Sequence, residues 1–167
     1  MDIFAALSEG KRGAVARSTE VALHIIATPS DLQILIDALS FDDPVVVSHA
    51  AHACLTIFKT HPHLLVPFKL HLLSMLLQRD QWELIEQLSK IIPQLGCTSA
   101  EGNALWIRLL SIVETGSSSI ARTCALQALA DMAALDPVYE PYAARAIHYA
   151  LEKGTKAMQA RARKFLN

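Results

Sequence analysis

The sequence predicts an all-α protein in which pairs of helices repeat along the chain. Apolar residues recur at three- and four-residue steps through residues 46–58, 82–95 and 120–135, and this spacing places them on one face of a helix. No segment alternates apolar and polar residues in the way that a half-buried strand does. A period of 37 residues relates the helical segments to one another, which is typical of repeat proteins.

Length and composition fit a single repeat domain over residues 1–167. The chain is 52% apolar and 19% charged, and it contains only 6 glycines. This composition excludes a disordered or collagen-like chain, and 167 residues can bury a sizeable core. The formal net charge of −1 argues against a general polyanion-binding protein.

The period is clearest in the second helix of each predicted unit. The apolar positions that recur twice at this interval are Phe68, Leu72, Leu73 and Leu76, then Leu105, Leu109, Leu110 and Val113, then Tyr142, Ala146, Ile147 and Ala150. The period divides the chain into four helix pairs, at about residues 1–41, 42–78, 79–115 and 116–152, and a last helix within residues 153–167.

Capping residues predict where several helices begin. The Asp-Pro pairs at residues 43–44 and 136–137 have the order of an N-cap followed by a first-turn proline. Residues 80–83 and 98–101 fit the capping box, in which the side chain at each end accepts a hydrogen bond from the backbone N–H of the other. These signals fall at the predicted unit or half-unit boundaries.

The two ends of the chain depart from the central pattern. In the first unit we predict helices over residues 11–27 and 31–40, because turn residues between them shift the period. At the other end we predict a lone helix over residues 156–166. Its cationic residues would supply the polar outer face that a terminal repeat requires.

These units resemble HEAT repeats, a family of helix-pair repeats. The similarity is best at Ile120, Ala121 and Arg122, and residues 15–17 form a fainter copy. The resemblance covers about residues 11–167. It implies a right-handed αα-superhelix of about four HEAT-like helix pairs plus a C-terminal capping helix, with the second helices lining the concave surface. A fold of this kind says almost nothing about function.

Four residues carry more specific expectations. Arg17 and Arg122 occupy a position at which HEAT repeats often use arginine to bond a neighbouring turn, which implies contacts between repeats. Pro93 matches the kinking proline that many HEAT repeats carry in the first helix. The helical projection predicts that Trp106 packs in the core or between repeats.

Polar residues of the second helices fall into columns on the side away from the leucines. One column holds His71, Arg108 and Arg145, and the next holds Ser74, Ser111 and His148. Helices stacked about 9 Å apart would join the columns into one polar stripe. We predict that the stripe binds a partner segment, with Arg108 and Arg145 as bidentate donors to a carboxylate or phosphate. The alternative is a solvated helix face with no binding role.

Histidine is the one enriched residue type that could bind a metal. His49 and His52 share a helix face, and His61 and His63 open the turn that follows. A zinc or iron site needs three or four converging ligands, whereas the sequence guarantees only pairs. The His-Glu dipeptides of some HEAT-like metalloenzymes are absent from this sequence. We therefore predict no metal and no cofactor, and we expect the histidines at the surface or in caps.

The sequence contains no catalytic motif. It lacks the nucleophile elbow, the phosphate-binding loop, the dinucleotide fingerprint and the zinc-protease helix. A cysteine–histidine pair remains open, but Cys54 and Cys124 lie among apolar helix positions. No cysteines form a C-x-x-C pair, and no signal peptide is recognisable. Polar residues interrupt the densest apolar stretch, residues 64–77, so we predict no membrane span. We predict a cytoplasmic protein that is not an enzyme.

The leading functional hypothesis is a non-enzymatic scaffold that binds a segment of a protein or peptide on the concave face. The segment would be acidic, because Arg108 and Arg145 are the predicted donors. A nucleic-acid-binding or DNA-repair role is the first alternative, by analogy with HEAT-like glycosylases. It is disfavoured because the cationic surplus is confined to residues 145–167, which hold six Lys or Arg against one acid. A lyase or chaperone subunit is the second alternative, by fold analogy alone. The sequence does not specify the oligomeric state, nor whether the chain is part of a longer solenoid.

Overall fold

The computed structural model describes residues 1–166, and this part of the chain is helical as predicted, without a strand. The α-helices are α1 (Ile3–Ser8), α2 (Ser18–Ala27), α3 (Leu32–Ala38), α4 (Pro44–Thr60), α5 (Lys69–Gln78), α6 (Trp82–Ile91), α7 (Ser99–Thr115), α8 (Ser119–Leu135), α9 (Glu140–Lys153) and α10 (Lys156–Arg163). Short 3-10 turns lie at Pro29–Asp31, Pro62–Leu64, Val66–Phe68, Ile92–Gln94 and Pro137–Tyr139. No helix among the described residues combines the length and apolar character needed to cross a bilayer.

The internal contacts divide the chain into two compact units, unit 1 from Met1 to Leu95 and unit 2 from Gly96 onward. In unit 1, α4 lies between α2 and α6 and also contacts α1 and α3, while α5 packs on α6. This central position explains why α4 is buried around most of its circumference, including the polar residues Ser48 and His49.

In unit 2, α8 contacts α7, α9 and α10, and α7 also packs against α9. Small residues on α8, such as Ala121, Ala125 and Ala128, are buried at these contacts and allow the helices to approach closely. The apolar columns of the 37-residue period supply the core, since Leu109 of α7 and Ala146 of α9 are both fully buried.

Three of the predicted N-caps are confirmed. Asp43 accepts a hydrogen bond from the Val45 N–H over 2.8 Å at the start of α4. Thr98 and Glu101 form the capping box of α7. Asp136 also acts as an N-cap, although it begins the 3-10 turn Pro137–Tyr139 rather than α9 itself.

The predicted start of α2 is wrong. The periodicity suggested a helix from residue 11, but α2 begins at Ser18. The backbone before it is left-handed at Gly10, Gly13 and Ala16, with φ of +99°, +78° and +44°. A right-handed helix cannot pass through such positions, so residues 9–17 form an irregular segment instead.

Three other predicted features also differ. The capping box at residues 80–83 does not form: Gln81 is the N-cap of α6 and its side chain makes no cap hydrogen bond, while the Glu83 side chain pairs with Arg12. Pro93 does not kink α6, because the helix ends at Ile91 and Pro93 lies in the 3-10 turn beyond it. The last helix ends at Arg163 rather than at residue 166.

Candidate functional site

Four of the six predicted binding residues lie on α7 and α9, which pack against each other in unit 2. Arg108 and Ser111 belong to α7, and Arg145 and His148 belong to α9. His71 and Ser74 are on α5 in unit 1. The structure therefore places the last two residues of each column on two helices that pack together.

An aromatic pair joins α7 to α9. The rings of Trp106 and Tyr142 are stacked, with their centroids 3.6 Å apart and their planes 9° from parallel. The indole N–H of Trp106 donates to the side-chain oxygen of Asn103 over 3.4 Å. Both aromatic side chains are half-buried, so Trp106 packs between helices as the projection predicted.

Arg145 makes a bidentate ion pair that the sequence did not predict. Its Nε and Nη2 atoms donate to the two carboxylate oxygens of Glu114 on α7, over 2.9 Å and 3.1 Å. The hydroxyl of Tyr149 donates to the backbone carbonyl of Glu114 over 2.8 Å. The Arg145 side chain is nevertheless 63% exposed, so it remains accessible from solvent.

The remaining predicted residues of unit 2 lie on the same two helices, α7 and α9. Arg108 is half-buried and Ser111 is exposed on α7. His148 is exposed on α9, and its Nε2 atom lies 3.3 Å from Oε1 of Glu152, one helical turn further along. Ile107 is an apolar residue that is 56% exposed, and its helical spacing places it on the same side of α7 as Ser111 and Glu114.

We define the α7–α9 face as the side chains that join α7 to α9 in these contacts, together with Ile107 and the other predicted residues of the same two helices. They are Trp106, Ile107, Arg108, Ser111, Glu114, Tyr142, Arg145, His148 and Tyr149. The face combines stacked aromatic rings, one exposed aliphatic residue and the guanidinium groups of Arg108 and Arg145; Arg145 pairs with the carboxylate of Glu114. It could accommodate an apolar side chain beside an acidic group.

The two predicted residues of unit 1 are arranged differently. The Ser74 hydroxyl accepts a hydrogen bond from Gln78 over 3.1 Å. The Nε2 atom of His71 is buried and has no hydrogen-bond partner within residues 1–166. This nitrogen is therefore shielded from solvent.

The two arginines assigned to inter-repeat contacts behave differently from each other. Arg122 of α8 donates through Nε to the carbonyl of Val113 in the last turn of α7, over 2.9 Å, as the resemblance implied. Arg17 instead pairs with Glu9 and Glu20 close by in the chain. The inter-repeat role predicted for Arg17 is thus wrong, because nearby carboxylates satisfy its guanidinium.

Metal-capable residues do not cluster in the part of the chain that the structure describes, where no group of three or more His, Cys, Asp or Glu could hold an ion. The rings of His61 and His63 lie 5.9 Å apart. His49, which we expected at the surface or in a cap, is fully buried and bonded to two backbone carbonyls. Burial raises the pKa of the Cys54 thiol to about 12, which makes it a poor nucleophile at neutral pH.

Comparison of the chain with protein-family models, with curated proteins and with solved structures gives no match. The resemblance to HEAT repeats therefore stays a prediction from the sequence.

Proposed function

We propose that this protein is a non-enzymatic interaction scaffold that binds a segment of a protein partner on the α7–α9 face. The observation that carries this proposal is that α7 and α9 present the stacked Trp106–Tyr142 pair and the exposed Arg145–Glu114 ion pair, with the exposed Ile107 at helical spacing from Glu114. Trp, Tyr and Arg are the residue types that contribute most at protein-binding hot spots. An exposed aliphatic side chain beside them offers apolar area that a partner can cover.

The partner segment we propose carries an apolar residue next to a carboxylate. The carboxylate would compete with Glu114 for Arg145, exchanging one exposed ion pair for another. Such an exchange contributes only about 0–1 kcal/mol, so charge would determine orientation more than affinity. Covering Ile107 and the edge of the aromatic pair would supply most of the binding free energy.

We further propose the HEAT-like arrangement, a right-handed αα-superhelix of about four helix pairs with α10 as the terminal cap. Within each unit the contacts are those of layered helix pairs: α4 lies between α2 and α6 in unit 1, and α8 contacts α7, α9 and α10 in unit 2. In such a superhelix α5, α7 and α9 would be second helices on the concave side. Small-angle X-ray scattering tests this, since a globular envelope would contradict it.

A cytoplasmic location belongs to the same proposal. Cys54 is a free thiol that is buried as a small apolar residue, as in proteins of reducing compartments. Fractionation of the source cell with an antibody to the protein checks the location, and recovery from an oxidising compartment would contradict it.

Two pairs of matched variants test the binding proposal. We expect Ile107→Asp, and separately Arg108→Ala with Arg145→Ala, to abolish capture of the partner from an extract of the source cell. Ile120→Asp, which changes an equally exposed isoleucine on α8, should retain capture. Arg163→Ala with Lys164→Ala is the control for the arginine double variant: it removes two exposed cations from the end of the chain and should also retain capture.

Circular dichroism and thermal melting accompany each variant. If the arginine double variant loses helical signal, those arginines stabilise the fold and Ile107→Asp decides the question. The partner is identified by mass spectrometry, and its binding segment is then measured directly by calorimetry. Full binding by Ile107→Asp, or equal losses in the control variants, would show that the α7–α9 face is not the binding surface.

A nucleic-acid role is the second candidate. The observation in its favour is the group of exposed cations at the end of α9 and on α10, namely Lys153, Lys156, Arg163 and Lys164. These residues are too few for strong binding, since affinity for duplex DNA depends on the number of phosphates neutralised.

A further inference from the structure

Residues 9–17, the 9–17 segment, connect α1 to α2 by an irregular path that the fold must hold in place. Its backbone is left-handed at three positions, and Ala16 is there with a φ of +44° although it carries a Cβ. A residue with a Cβ is strained in this region, so contacts elsewhere have to maintain the conformation.

Two contacts fasten the middle of the segment to α4 and α6. The backbone N–H of Gly13 donates to the hydroxyl of Ser48 over 3.2 Å, and Gly13 also rests against the ring of Trp82. The guanidinium of Arg12 pairs through two donors with Glu83, whose carboxylate is only 2% exposed. Both contacts join the segment to buried polar groups of unit 1.

His49 makes the third contact, and its geometry is unusual. The imidazole is fully buried on α4; Nδ1 lies 2.8 Å from the carbonyl oxygen of Leu7 and Nε2 lies 3.1 Å from that of Lys11. A carbonyl oxygen can only accept, and a neutral imidazole has a single N–H to donate. Only the imidazolium, with two N–H groups, can donate to both oxygens at once, although the Lys11 oxygen also accepts from the Ala14 N–H over 3.0 Å.

We infer that His49 is a pH-sensitive latch: its protonation fastens the 9–17 segment to α4, and its deprotonation loosens that segment. With the ring protonated, both nitrogens donate charge-assisted hydrogen bonds, one to the end of α1 and one to the segment. With the ring neutral, one nitrogen lone pair faces a carbonyl oxygen and that contact becomes repulsive. Opening of the segment would uncover the buried Glu83 carboxylate.

Other ionisable groups surround this part of the core. On α4 and on the elements packed against it they are His52, Cys54, Lys59, His63, Asp2, Glu20, His24, Asp37, Glu83, Glu86 and Lys90, together with Glu9, Lys11, Arg12 and Arg17 of the segment. The pKa of His52 is lowered, mainly by burial and next by Lys59. His52 therefore loses its proton at a lower pH than an ordinary histidine.

The direction of the pH effect follows from linkage. Because the closed segment offers two acceptors to the ring, closure favours the protonated form, and by reciprocity acid favours closure. The segment is held most firmly when the ring is protonated, so its opening increases toward higher pH. Loss of one hydrogen bond to a charged group corresponds to roughly a tenfold or larger rise in the opening equilibrium constant.

The test uses the full-length protein between about pH 5 and pH 8, the range in which histidine acts as a switch. Long-range proton–nitrogen NMR distinguishes the His49 imidazolium from the two neutral tautomers. Hydrogen exchange of the Gly13 amide, corrected for the intrinsic effect of pH, reports opening of the segment. We expect the imidazolium at low pH and at least about a tenfold rise in opening as the ring loses its proton. A closed segment with a neutral ring throughout would overturn the inference.

Variants identify the group responsible. His49→Gln should remove the pH dependence of opening, whereas His63→Gln, which changes an exposed histidine, should leave it intact. Arg12→Gln should raise opening by a similar factor at every pH and keep the dependence. If His49→Gln does not fold, the Arg12→Gln series decides, because loss of the dependence there would assign it to the Arg12–Glu83 pair and overturn the role of His49.

Discussion

At the scale of single residues, burial of the carboxylate separates two similar ion pairs of the N-terminal region. Arg12 and Arg17 both pair with glutamates through two donors, but Glu83 is 2% exposed whereas Glu20 is 52% exposed. Removing Arg12 leaves a buried charge uncompensated, while removing Arg17 leaves a hydrated one. The same chemical contact thus stabilises the protein to different extents.

We therefore expect Arg12→Met to lower the free energy of unfolding by about 2–3 kcal/mol, below the value for a fully buried pair because Arg12 is half exposed. Arg17→Met should lower it much less, because its pair with Glu20 is hydrated and screened by salt. Urea denaturation of both variants measures the difference. Equal losses would show that water reaches Glu83 despite its burial.

A second residue-scale prediction concerns Gly102 on α7, against which the Tyr139 side chain rests. A Cβ at this position would overlap the hydroxyl and the adjoining ring carbon of Tyr139. Alanine normally stabilises a helix interior by about 1 kcal/mol relative to glycine. Here the ring must move, so we expect Gly102→Ala to destabilise the protein by about 1–2 kcal/mol.

The control is to repeat Gly102→Ala without the Tyr139 ring, where its effect on stability should change sign. In a Tyr139→Ala background the overlap disappears, and Gly102→Ala should then stabilise by about 0.5–1 kcal/mol. Guanidinium denaturation of the four proteins completes the double-mutant cycle. A loss of equal size in both backgrounds would show that Tyr139 is not the cause.

The hydrogen-bond and ion-pair partners of individual side chains were the features that the sequence predicted least well. Arg145 was correctly placed next to α7, but its partner Glu114 lies 31 residues away, outside the 37-residue columns. His49 was paired with His52 by helical spacing, whereas its ring bonds carbonyls of Leu7 and Lys11. Such contacts depend on how an irregular loop or a neighbouring helix packs, and periodicity carries no information about either.

At the scale of elements, long periodic helices with a clear cap were predicted well. The helices α4 and α8 begin within two residues of their apolar patterns, because their N-caps, Asp43 and Ser118, come directly before them. The segment before α2 was mispredicted because Gly10, Gly13 and Ala16 adopt left-handed backbone that an apolar pattern does not reveal. The prolines at residues 62, 67 and 93 lie in 3-10 turns, which share much of the helical pattern.

The capping box of α7 gives the prediction at this scale. Thr98 accepts from the Glu101 N–H over 3.3 Å, and Glu101 accepts from the Thr98 N–H over 2.8 Å. We expect Thr98→Ala to lower the free energy of unfolding by about 1 kcal/mol. Thr115→Ala, the same change at the other end of α7, should stay within about 0.5 kcal/mol of wild type. Urea denaturation with equal effects from both would contradict a specific cap.

At the scale of the whole molecule, the charge is unevenly distributed although the formal net charge is only −1. The exposed cations Lys153, Lys156, Arg163 and Lys164 follow one another at the end of α9 and along α10. A duplex would meet about four phosphate-neutralising groups in this region. This number separates the scaffold hypothesis from the nucleic-acid hypothesis, because the two require different salt dependence.

We expect no gel shift of a short DNA duplex at about 150 mM salt. Any binding at about 50 mM salt should weaken by roughly a hundredfold by about 200 mM, as four phosphate contacts require. Lys156→Glu with Lys164→Glu should abolish that weak binding, while Lys11→Glu with Lys59→Glu, a matched change of exposed lysines in unit 1, should not. Binding that persists at 150 mM salt and tolerates the first double variant would come from another surface. In that case the α7–α9 face, with its guanidinium groups, would have to be reconsidered as a nucleic-acid contact rather than a peptide contact.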